Sequence, residues 1–204
     1  MLKIGLTGGI GCGKTTVSNL FQQFNVPIID ADEISRHLVK SGTPALKKIE
    51  TVFGSEILLG NGELNRVYLK KCIFDDSTAK QKLEAILHPL IFQEISNQLN
   101  AISADYCIVA IPLLFETHAE FLFDRILVID CDEKTQIERV QIRDNLSLTE
   151  IRAILAAQVS SEFRQKHAHD IVDNSKNNDQ LAEQVKKLHN FYISLSQNQD
   201  ALPL

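Results

Sequence analysis

A glycine-rich segment near the start of the chain limits the possible folds more than any other feature of the sequence. Residues 8–15 read GGIGCGKT and satisfy the phosphate-binding pattern GxxxxGK followed by Ser or Thr. An apolar run precedes the segment at residues 2–6. Apolar side chains at positions 17, 20, 21 and 24 follow it with the spacing of an amphipathic helix. We therefore expect a strand, a phosphate-binding loop and a helix, in that order.

The residue types in this loop suit the binding of a nucleoside triphosphate. Glycines let the backbone curl so that successive amide groups point at phosphate oxygens, and the start of a helix adds its positive end. Lys14 supplies a cation for the β- and γ-phosphates, and the Thr15 hydroxyl is a ligand for the Mg²⁺ that accompanies ATP. The predicted ATP-binding residues here are Gly9, Gly11, Cys12, Gly13, Lys14, Thr15 and Thr16.

Cys12 is unusual in such a loop, and two interpretations of it stay open. Its backbone amide, not its side chain, is expected to bind phosphate, so the thiol can be a silent small group. Alternatively, Lys14 and the helix N-terminus stabilise a reactive thiolate at this position.

Further apolar runs predict the rest of the fold. They lie at residues 26–29, 106–111, 125–129 and 171–172, and helical patterns separate them. Alternation of this kind predicts an α/β fold with a parallel sheet covered by helices on both faces. Asp132 and the pair Ser147 and Glu150 read as helix caps, the second helix running through Gln158. The final residues, 197–204, are expected to form a loose tail.

The connection between the second and third strands spans roughly 75 residues, far more than one crossover helix needs. It predicts an inserted helical lobe at about residues 36–103, with helices at 44–53, 66–74, 78–87 and 90–102. The expected breaks are Gly54, the segment 60–62 and the pair His88 and Pro89. One domain of residues 1–204 is expected, with its core at about 1–35 and 104–200.

Composition excludes several classes of function. The formal net charge is −5 and no run of Lys and Arg occurs, so no nucleic-acid partner is expected. No apolar stretch reaches the ~20 residues of a membrane span, and the N-terminus does not resemble a secretory signal. The four cysteines form no CxxC pair, which favours reduced thiols and a cytoplasmic location.

Charged residues at two other places favour a small-molecule kinase over a switch or motor protein. Asp30 and Asp32 follow the second strand, where a carboxylate can orient an acceptor hydroxyl and receive its proton. The alternative is that both are turn or N-cap residues of a helix from Glu33. Arg139 and Arg143 share one helix face and suit a phosphate clamp, although a solvated charged face would look the same.

These segments together resemble the dephospho-coenzyme A kinase family over nearly the whole chain. The residues that carry the resemblance are 5–17, 30–32 with Arg36, 64–66, 87–91, 112–116, Gln136 with Arg139 and Arg143, and 171–174. Two departures are visible, since the family usually has serine at position 12 and glycine soon after Asn174, where this chain has Ser175 and Lys176.

The resemblance implies a P-loop, nucleoside-monophosphate-kinase-like fold with a helical lid at about residues 133–165. It implies that ATP, with Mg²⁺, phosphorylates the ribose 3′-hydroxyl of dephospho-coenzyme A. The implied catalytic residues are Asp32, Lys14 and Arg139, with Arg143 and Asn174 as further ATP contacts. The implied substrate-binding residues are Asp32, Arg36, Arg66, His88 and Glu116.

Blander interpretations of the substrate residues stay open. His88 before Pro89 can simply end a helix, Arg66 can be an exposed first-turn residue, and Glu116 can be a surface carboxylate. At the level of function, two rivals remain. One is another small-molecule kinase, acting on shikimate, gluconate or a nucleoside monophosphate. The other is a nucleotide-dependent switch that transfers no phosphoryl group.

Overall fold

The computed structural model describes residues 1–175 and 178–199. The chain divides into two compact units. The sheet unit consists of Met1–Asp30 and the segment from Ile102 onward, and the helical unit consists of Ala31–Ala101.

The described part of the sheet unit contains a five-stranded parallel sheet with the strand order β2-β3-β1-β4-β5. The strands are β1 (Leu2–Gly8), β2 (Ile28–Asp30), β3 (Tyr106–Ala110), β4 (Arg125–Asp130) and β5 (Asp170–Asp173). The helices of both units are α1 (Lys14–Gln22), α2 (Ala31–Leu38), α3 (Pro44–Phe53), α4 (Arg66–Asp75), α5 (Ser77–Ala101), α6 (Glu133–Asp144), α7 (Leu148–Ala156), α8 (Ser161–His167) and α9 (Asn178–Gln199). The predicted α/β fold with a parallel sheet is confirmed.

The central strand β1 fixes the position of the glycine-rich loop. Side chains two residues apart on a strand point to the same face, and Leu2, Ile4 and Leu6 are buried together on one face of β1. Phe21 of α1 and Tyr192 of α9 belong to the same core cluster. Because β1 and α1 are anchored in one core, the loop between them is held at both ends.

A polar network joins β4, β5 and α9. The Arg125 guanidinium donates two hydrogen bonds to the Asp170 carboxylate, at 3.0 and 3.1 Å. The buried Tyr192 hydroxyl donates to the same carboxylate at 2.9 Å. Burial raises the pKa of Tyr192, so the phenol stays protonated and remains a donor. This network holds the amino ends of β4 and β5 at a fixed spacing.

The helical unit has a hydrophobic core of its own. Thr43 caps α3 by accepting a hydrogen bond from the Leu46 amide, with Pro44 at the first helical position, and α3 ends at Gly54. Asn65 caps α4 in the same way. The core side chains come from α3, α4, α5 and the connecting segments of this unit: Val39, Leu46, Ile49, Ile57, Leu64, Leu69 and Leu83.

The predicted break at His88 and Pro89 is wrong, because α5 is one continuous helix with Pro89 inside it. A proline within a helix loses one backbone hydrogen bond and costs about 3 kcal/mol. Leu83 before it and Ile95 after it are both buried, and burying one such side chain contributes about 1.5–3 kcal/mol. Packing on both sides of Pro89 therefore offsets the local cost.

Two smaller expectations also fail, whereas the caps at Asp132 and Ser147 are confirmed. Helix α2 begins at Ala31 rather than Glu33, so Asp32 lies in its first turn and is not its N-cap. Residues 197–199 belong to α9 rather than to a tail. The remainder of the expected tail, 200–204, lies outside the described residues, as does Lys176.

Candidate active site

The glycine-rich loop forms a phosphate cradle at the carboxyl end of β1. Gly11 and Gly13 have φ values of 77° and 93°, a region that favours glycine. A Cβ atom on Gly13 would lie 2.2 Å from Asn174 Nδ2, and one on Gly11 would lie 2.8 Å from the Gln136 carbonyl oxygen. Both positions therefore require glycine for conformation and for space.

The residues that follow the cradle begin α1 without a side-chain cap on its first amides. The Lys14 ammonium donates hydrogen bonds to the carbonyls of Gly8 and Gly9, at 2.7 and 3.2 Å, so its charge lies within the loop. Thr15 and Thr16 are exposed in the first turn of the helix. This arrangement offers amides, a cation and hydroxyl groups to a phosphate chain.

Side chains distant in sequence stabilise the backbone of the cradle through hydrogen bonds. Gln136 Nε2 donates to the Ile10 carbonyl at 2.7 Å, and Gln158 Oε1 accepts from the Ile10 amide at 3.0 Å. The sequence predicted no site role for Gln158, and Gln136 belonged only to the residues that carry the family resemblance. Gln136 lies one helical turn from Val140 on the buried face of α6. A polar side chain on an apolar helix face usually has a hydrogen-bond partner, so this position could have indicated a role in positioning other groups.

Asn174 follows β5 and reaches the cradle. Its amide nitrogen Nδ2 donates to the Cys12 carbonyl at 2.7 Å, and its backbone amide donates to the Asp130 carbonyl at 2.8 Å. The side chain is 4% exposed, and its Oδ1 has no hydrogen-bond partner among the described residues. Asn174 thus contacts the backbone of the predicted ATP-binding loop.

The two predicted clamp arginines have different environments. Arg139 Nη2 donates to the Asn174 carbonyl at 2.9 Å, and Arg139 Nη1 lies 3.5 Å from the Gly11 carbonyl. Arg143 is exposed and makes a bidentate pair with the neighbouring Asp144, at 2.7 and 2.8 Å. The solvated-face alternative therefore describes Arg143 in this structure but not Arg139, which touches the cradle.

Arg164, in α8, is a buried cation that sequence reasoning missed. It is 6% exposed, one nitrogen donates to the Val159 carbonyl, and Nη2 lies 3.0 Å from where a Cβ of Gly9 would be. Among the described residues, no carboxylate lies within ion-pair distance of its guanidinium, and Nε has no hydrogen-bond partner. A basic residue in the last turn of a short helix is common, so the sequence carried no distinguishing signal.

The thiol of Cys12 is buried and lies 3.2 Å from the thiol of Cys131, which follows β4. The hydrogen bond from Cys131 and, secondarily, the charge of Lys14 lower the pKa of Cys12, although burial opposes the shift. Both open interpretations of Cys12 had overlooked this neighbour.

Glu116 is anchored rather than loose. Its Oε1 accepts a hydrogen bond from the Val159 amide at 3.0 Å, and the side chain is half-buried. The interpretation of Glu116 as a plain surface carboxylate is therefore wrong. Its role towards a substrate stays a prediction.

In the helical unit, Asp32 and Arg36 lie one turn apart on α2, and both are exposed. Arg36 and Arg66 line one cavity of about 480 Å³ together with Lys40, Glu63 and hydrophobic residues. Three cations face one carboxylate in this cavity, which favours an anionic ligand. Two of the predicted substrate residues are thus brought together.

His88 lies elsewhere in the helical unit. It is half-buried within the uninterrupted helix α5, and its ring lies 6.1 Å from that of Phe92. It is not among the residues that line the cavity of Arg36 and Arg66. The interpretation of His88 as a helix end is wrong, and a contact with the substrate stays a prediction.

The family comparison adds an independent observation to this geometry. The family model described as dephospho-CoA kinase matches residues 2–180. The chain belongs to the dephospho-CoA kinase family. Dephospho-CoA kinases of Hahella chejuensis and Mannheimia succiniciproducens are 45% and 44% identical over 197 and 202 residues, which is 97% of this chain in both cases and 95% and 94% of those proteins. A solved dephospho-CoA kinase from Campylobacter jejuni matches with a TM-score of 0.71 at 26% identity, over 97% of this chain and 98% of that one.

Membership of the dephospho-CoA kinase family makes the chain a phosphotransferase of coenzyme A biosynthesis and excludes a switch without transfer chemistry. No helix in the described ranges is long and apolar enough to cross a membrane. No group of three or more His, Cys, Asp and Glu residues in those ranges could hold a metal ion.

Proposed function

We propose that this chain transfers the γ-phosphoryl group of ATP to the ribose 3′-hydroxyl of dephospho-coenzyme A, giving coenzyme A and ADP. The observation that carries the proposal is the cradle itself, with Lys14 inside it, in a chain whose family model covers residues 2–180. We further propose a cytoplasmic enzyme with no nucleic-acid or membrane partner. The helical lobe would span about residues 36–103 and the lid about residues 133–165.

On the nucleotide side, the residues of the cradle bind and orient the phosphates. Glycine-rich backbone supplies amides, and Lys14 places its cation on the β- and γ-phosphates, where charge develops during transfer. Arg139, Arg143 and Asn174 are further proposed ATP contacts. The position of Arg139 supports its role, because its guanidinium already reaches the carbonyls of Gly11 and Asn174.

The metal that accompanies ATP needs few protein ligands. Mg²⁺ prefers oxygen ligands and commonly combines one or two protein groups with phosphate oxygens and water. The exposed Thr15 hydroxyl, directly after Lys14 at the start of α1, fits this requirement. When bound, the metal neutralises charge on the β- and γ-phosphates.

On the acceptor side, Asp32 is the proposed base, and Arg36, Arg66, His88 and Glu116 are the proposed substrate contacts. Asp32 orients the 3′-hydroxyl and accepts its proton. Arg36 and Arg66 hold the anionic diphosphate part of dephospho-coenzyme A, because the cavity they share carries net positive charge. The step breaks the bond from γ-phosphorus to the bridging oxygen and forms a bond to the 3′-oxygen.

Replacement of Arg139 should affect the transfer step more than ATP binding. A charge-assisted hydrogen bond contributes roughly 1.5–3 kcal/mol, so we expect Arg139→Ala to lower kcat at least tenfold while the ATP affinity changes less. Arg139→Lys should recover part of the loss, since it keeps charge but not the planar fork. Steady-state kinetics measure both values. Arg152→Ala, at an exposed position of α7, is the control, and an unchanged kcat for folded Arg139→Ala would contradict the role.

Replacement of Arg164 should weaken the binding of the phosphate chain. A buried guanidinium is costly unless an anion compensates it, and Arg164, which has no carboxylate partner within the described residues, lies beside Gly9 of the cradle. We expect Arg164→Gln to weaken tripolyphosphate and ATP binding about tenfold, as measured by calorimetry. Adenosine binding should not change. If the variant is folded and binds tripolyphosphate as tightly as the wild type, Arg164 stabilises the local structure but does not bind phosphate.

The position of the new phosphate tests the proposed function directly. Mass spectrometry of a reaction with ATP, Mg²⁺ and dephospho-coenzyme A should show one added phosphoryl group, and phosphorus–proton correlation should place it on the ribose C3′. A product phosphorylated on the 2′-hydroxyl, or no product while ATP is hydrolysed, would contradict the proposal.

A further inference from the structure

Two thiols from distant parts of the sheet unit meet at the cradle. Cys12 lies in the turn of the cradle and Cys131 directly follows β4, and their sulfur atoms are 3.2 Å apart although 119 residues separate them in sequence. Cys12 is fully buried and Cys131 is 6% exposed. The other two cysteines, Cys72 and Cys107, are free thiols as well, so each can serve as an internal control.

The surroundings favour different protonation states for the two sulfurs. The S–H of Cys131 donates to Cys12, and this hydrogen bond is the main reason that the pKa of Cys12 is lowered, with Lys14 and Arg164 adding to it against the effect of burial. The same bond and burial raise the pKa of Cys131. By contrast, burial raises the pKa of Cys107 to about 11. The pair thus combines one thiol whose pKa is lowered with one whose pKa is raised.

A small molecule can reach the Cys131 side of this pair, whereas Cys12 lies behind it and does not line the cavity. Cys131 lines an open cavity of about 730 Å³ at the carboxyl ends of β4 and β5. Polar side chains, including those of Gln136, Gln158 and Arg164, line the same cavity. A cavity of this size and polarity admits a hydroperoxide.

We propose that Cys12 and Cys131 are an oxidation site at which a hydroperoxide converts the two thiols into an intrachain disulfide, tying the phosphate cradle to the end of β4. One of the two sulfurs attacks the O–O bond, which gives a sulfenic acid and releases an alcohol, or water from hydrogen peroxide. The other sulfur then displaces water and forms the S–S bond. In balance, two thiols lose two protons and two electrons, and the hydroperoxide is reduced by the same two electrons.

Disulfide formation would distort the cradle. An S–S bond is ~2.05 Å long, so the sulfurs must move about 1 Å closer together. The Cys12 backbone is part of the cradle, because its amide donates to the Gly9 carbonyl and its carbonyl accepts from Asn174. A displacement of this backbone moves the amides that face the phosphates. We therefore expect the oxidised chain to bind ATP poorly and to recover on reduction.

Non-reducing peptide mapping tests the proposal without any acceptor substrate. The four cysteines fall on four different tryptic peptides, because Lys or Arg lies between each pair in the sequence. After treatment with tert-butyl hydroperoxide, we expect the Cys12 and Cys131 peptides to be linked, with Cys72 and Cys107 still reduced. A fluorescent ATP analogue should lose at least tenfold in affinity in parallel, and dithiothreitol should restore it.

Variants separate this site from other oxidation damage. The activity of each variant after peroxide treatment is expressed as a fraction of its activity before treatment. On this scale, Cys131→Ser should be inactivated at least tenfold more slowly than the wild type, and Cys131→Ala should be inactivated as slowly as Cys131→Ser. Cys72→Ser and Cys107→Ser should be inactivated as the wild type is. The absence of the linked peptide, or equal inactivation of both Cys131 variants and the wild type, would overturn the proposal. If the linked peptide forms but dephospho-coenzyme A is not phosphorylated, the proposed function fails and the oxidation site stands.

Discussion

Asp32→Asn should lower kcat by about 10²–10⁴-fold with little change in ATP affinity, because a positioned general base contributes about that factor. Asparagine keeps the size and hydrogen-bonding shape of aspartate but cannot accept the proton. The structure sharpens this prediction, since Asp32 lies inside the first turn of α2 and the N-cap alternative no longer applies.

The neighbouring acidic residues provide matched controls for Asp32. Glu33 is exposed in the same first turn, so Glu33→Gln removes an equal charge from the same helix end, where it contributes about 0.3–1 kcal/mol to stability. We expect Glu33→Gln to keep near-normal kcat and Asp30→Asn to cost clearly less than Asp32→Asn. Near-normal kcat for Asp32→Asn, or a larger loss at Asp30, would show that Asp32 is not the base.

Lys14→Ala should reduce turnover by about 10²–10³-fold, because its charge stabilises the phosphoryl group most strongly in the transition state. The ammonium also donates to the carbonyls of Gly8 and Gly9. We therefore also expect Lys14→Ala to lower the free energy of unfolding slightly. Thermal unfolding measures that loss separately from turnover.

An exposed lysine serves as the control for Lys14. Lys134 lies on the surface of α6, where its ammonium is 3.9 Å from Glu138, and such surface pairs contribute little. Lys134→Ala should therefore match the wild type in turnover and melting temperature. A Lys14→Ala variant that keeps a third of the wild-type turnover would contradict the role given to this residue.

The sequence predicted those parts of the molecule in which neighbouring residues determine the structure. The cradle is continuous in sequence and lies between β1 and α1, and Gly11 and Gly13 have the positive φ values that its shape requires. The caps at Thr43, Asp132 and Ser147 are likewise local, although only the last two were predicted. The strands were predictable because a buried parallel sheet requires apolar runs.

Features that depend on contacts between distant residues could not be predicted. Gln158 binds Ile10 across 148 residues, and Cys131 meets Cys12 across 119, so no local pattern reveals either pair. Pro89 is the opposite case. A proline is a strong local signal for a helix break, but packing along the rest of α5 keeps the helix continuous. The proposed role of Arg164 could not be predicted either, because it depends on the burial of the guanidinium, and burial is a property of the whole fold.

The rate of ADP release in the presence of different acceptors tests the central claim most directly. With ATP and Mg²⁺ held constant, we expect dephospho-coenzyme A to stimulate ADP release strongly. Shikimate, gluconate and AMP should leave the basal rate unchanged. Equal stimulation by one of these acceptors, or ADP release that no acceptor increases, would contradict the assignment of this chain as the kinase that phosphorylates dephospho-coenzyme A.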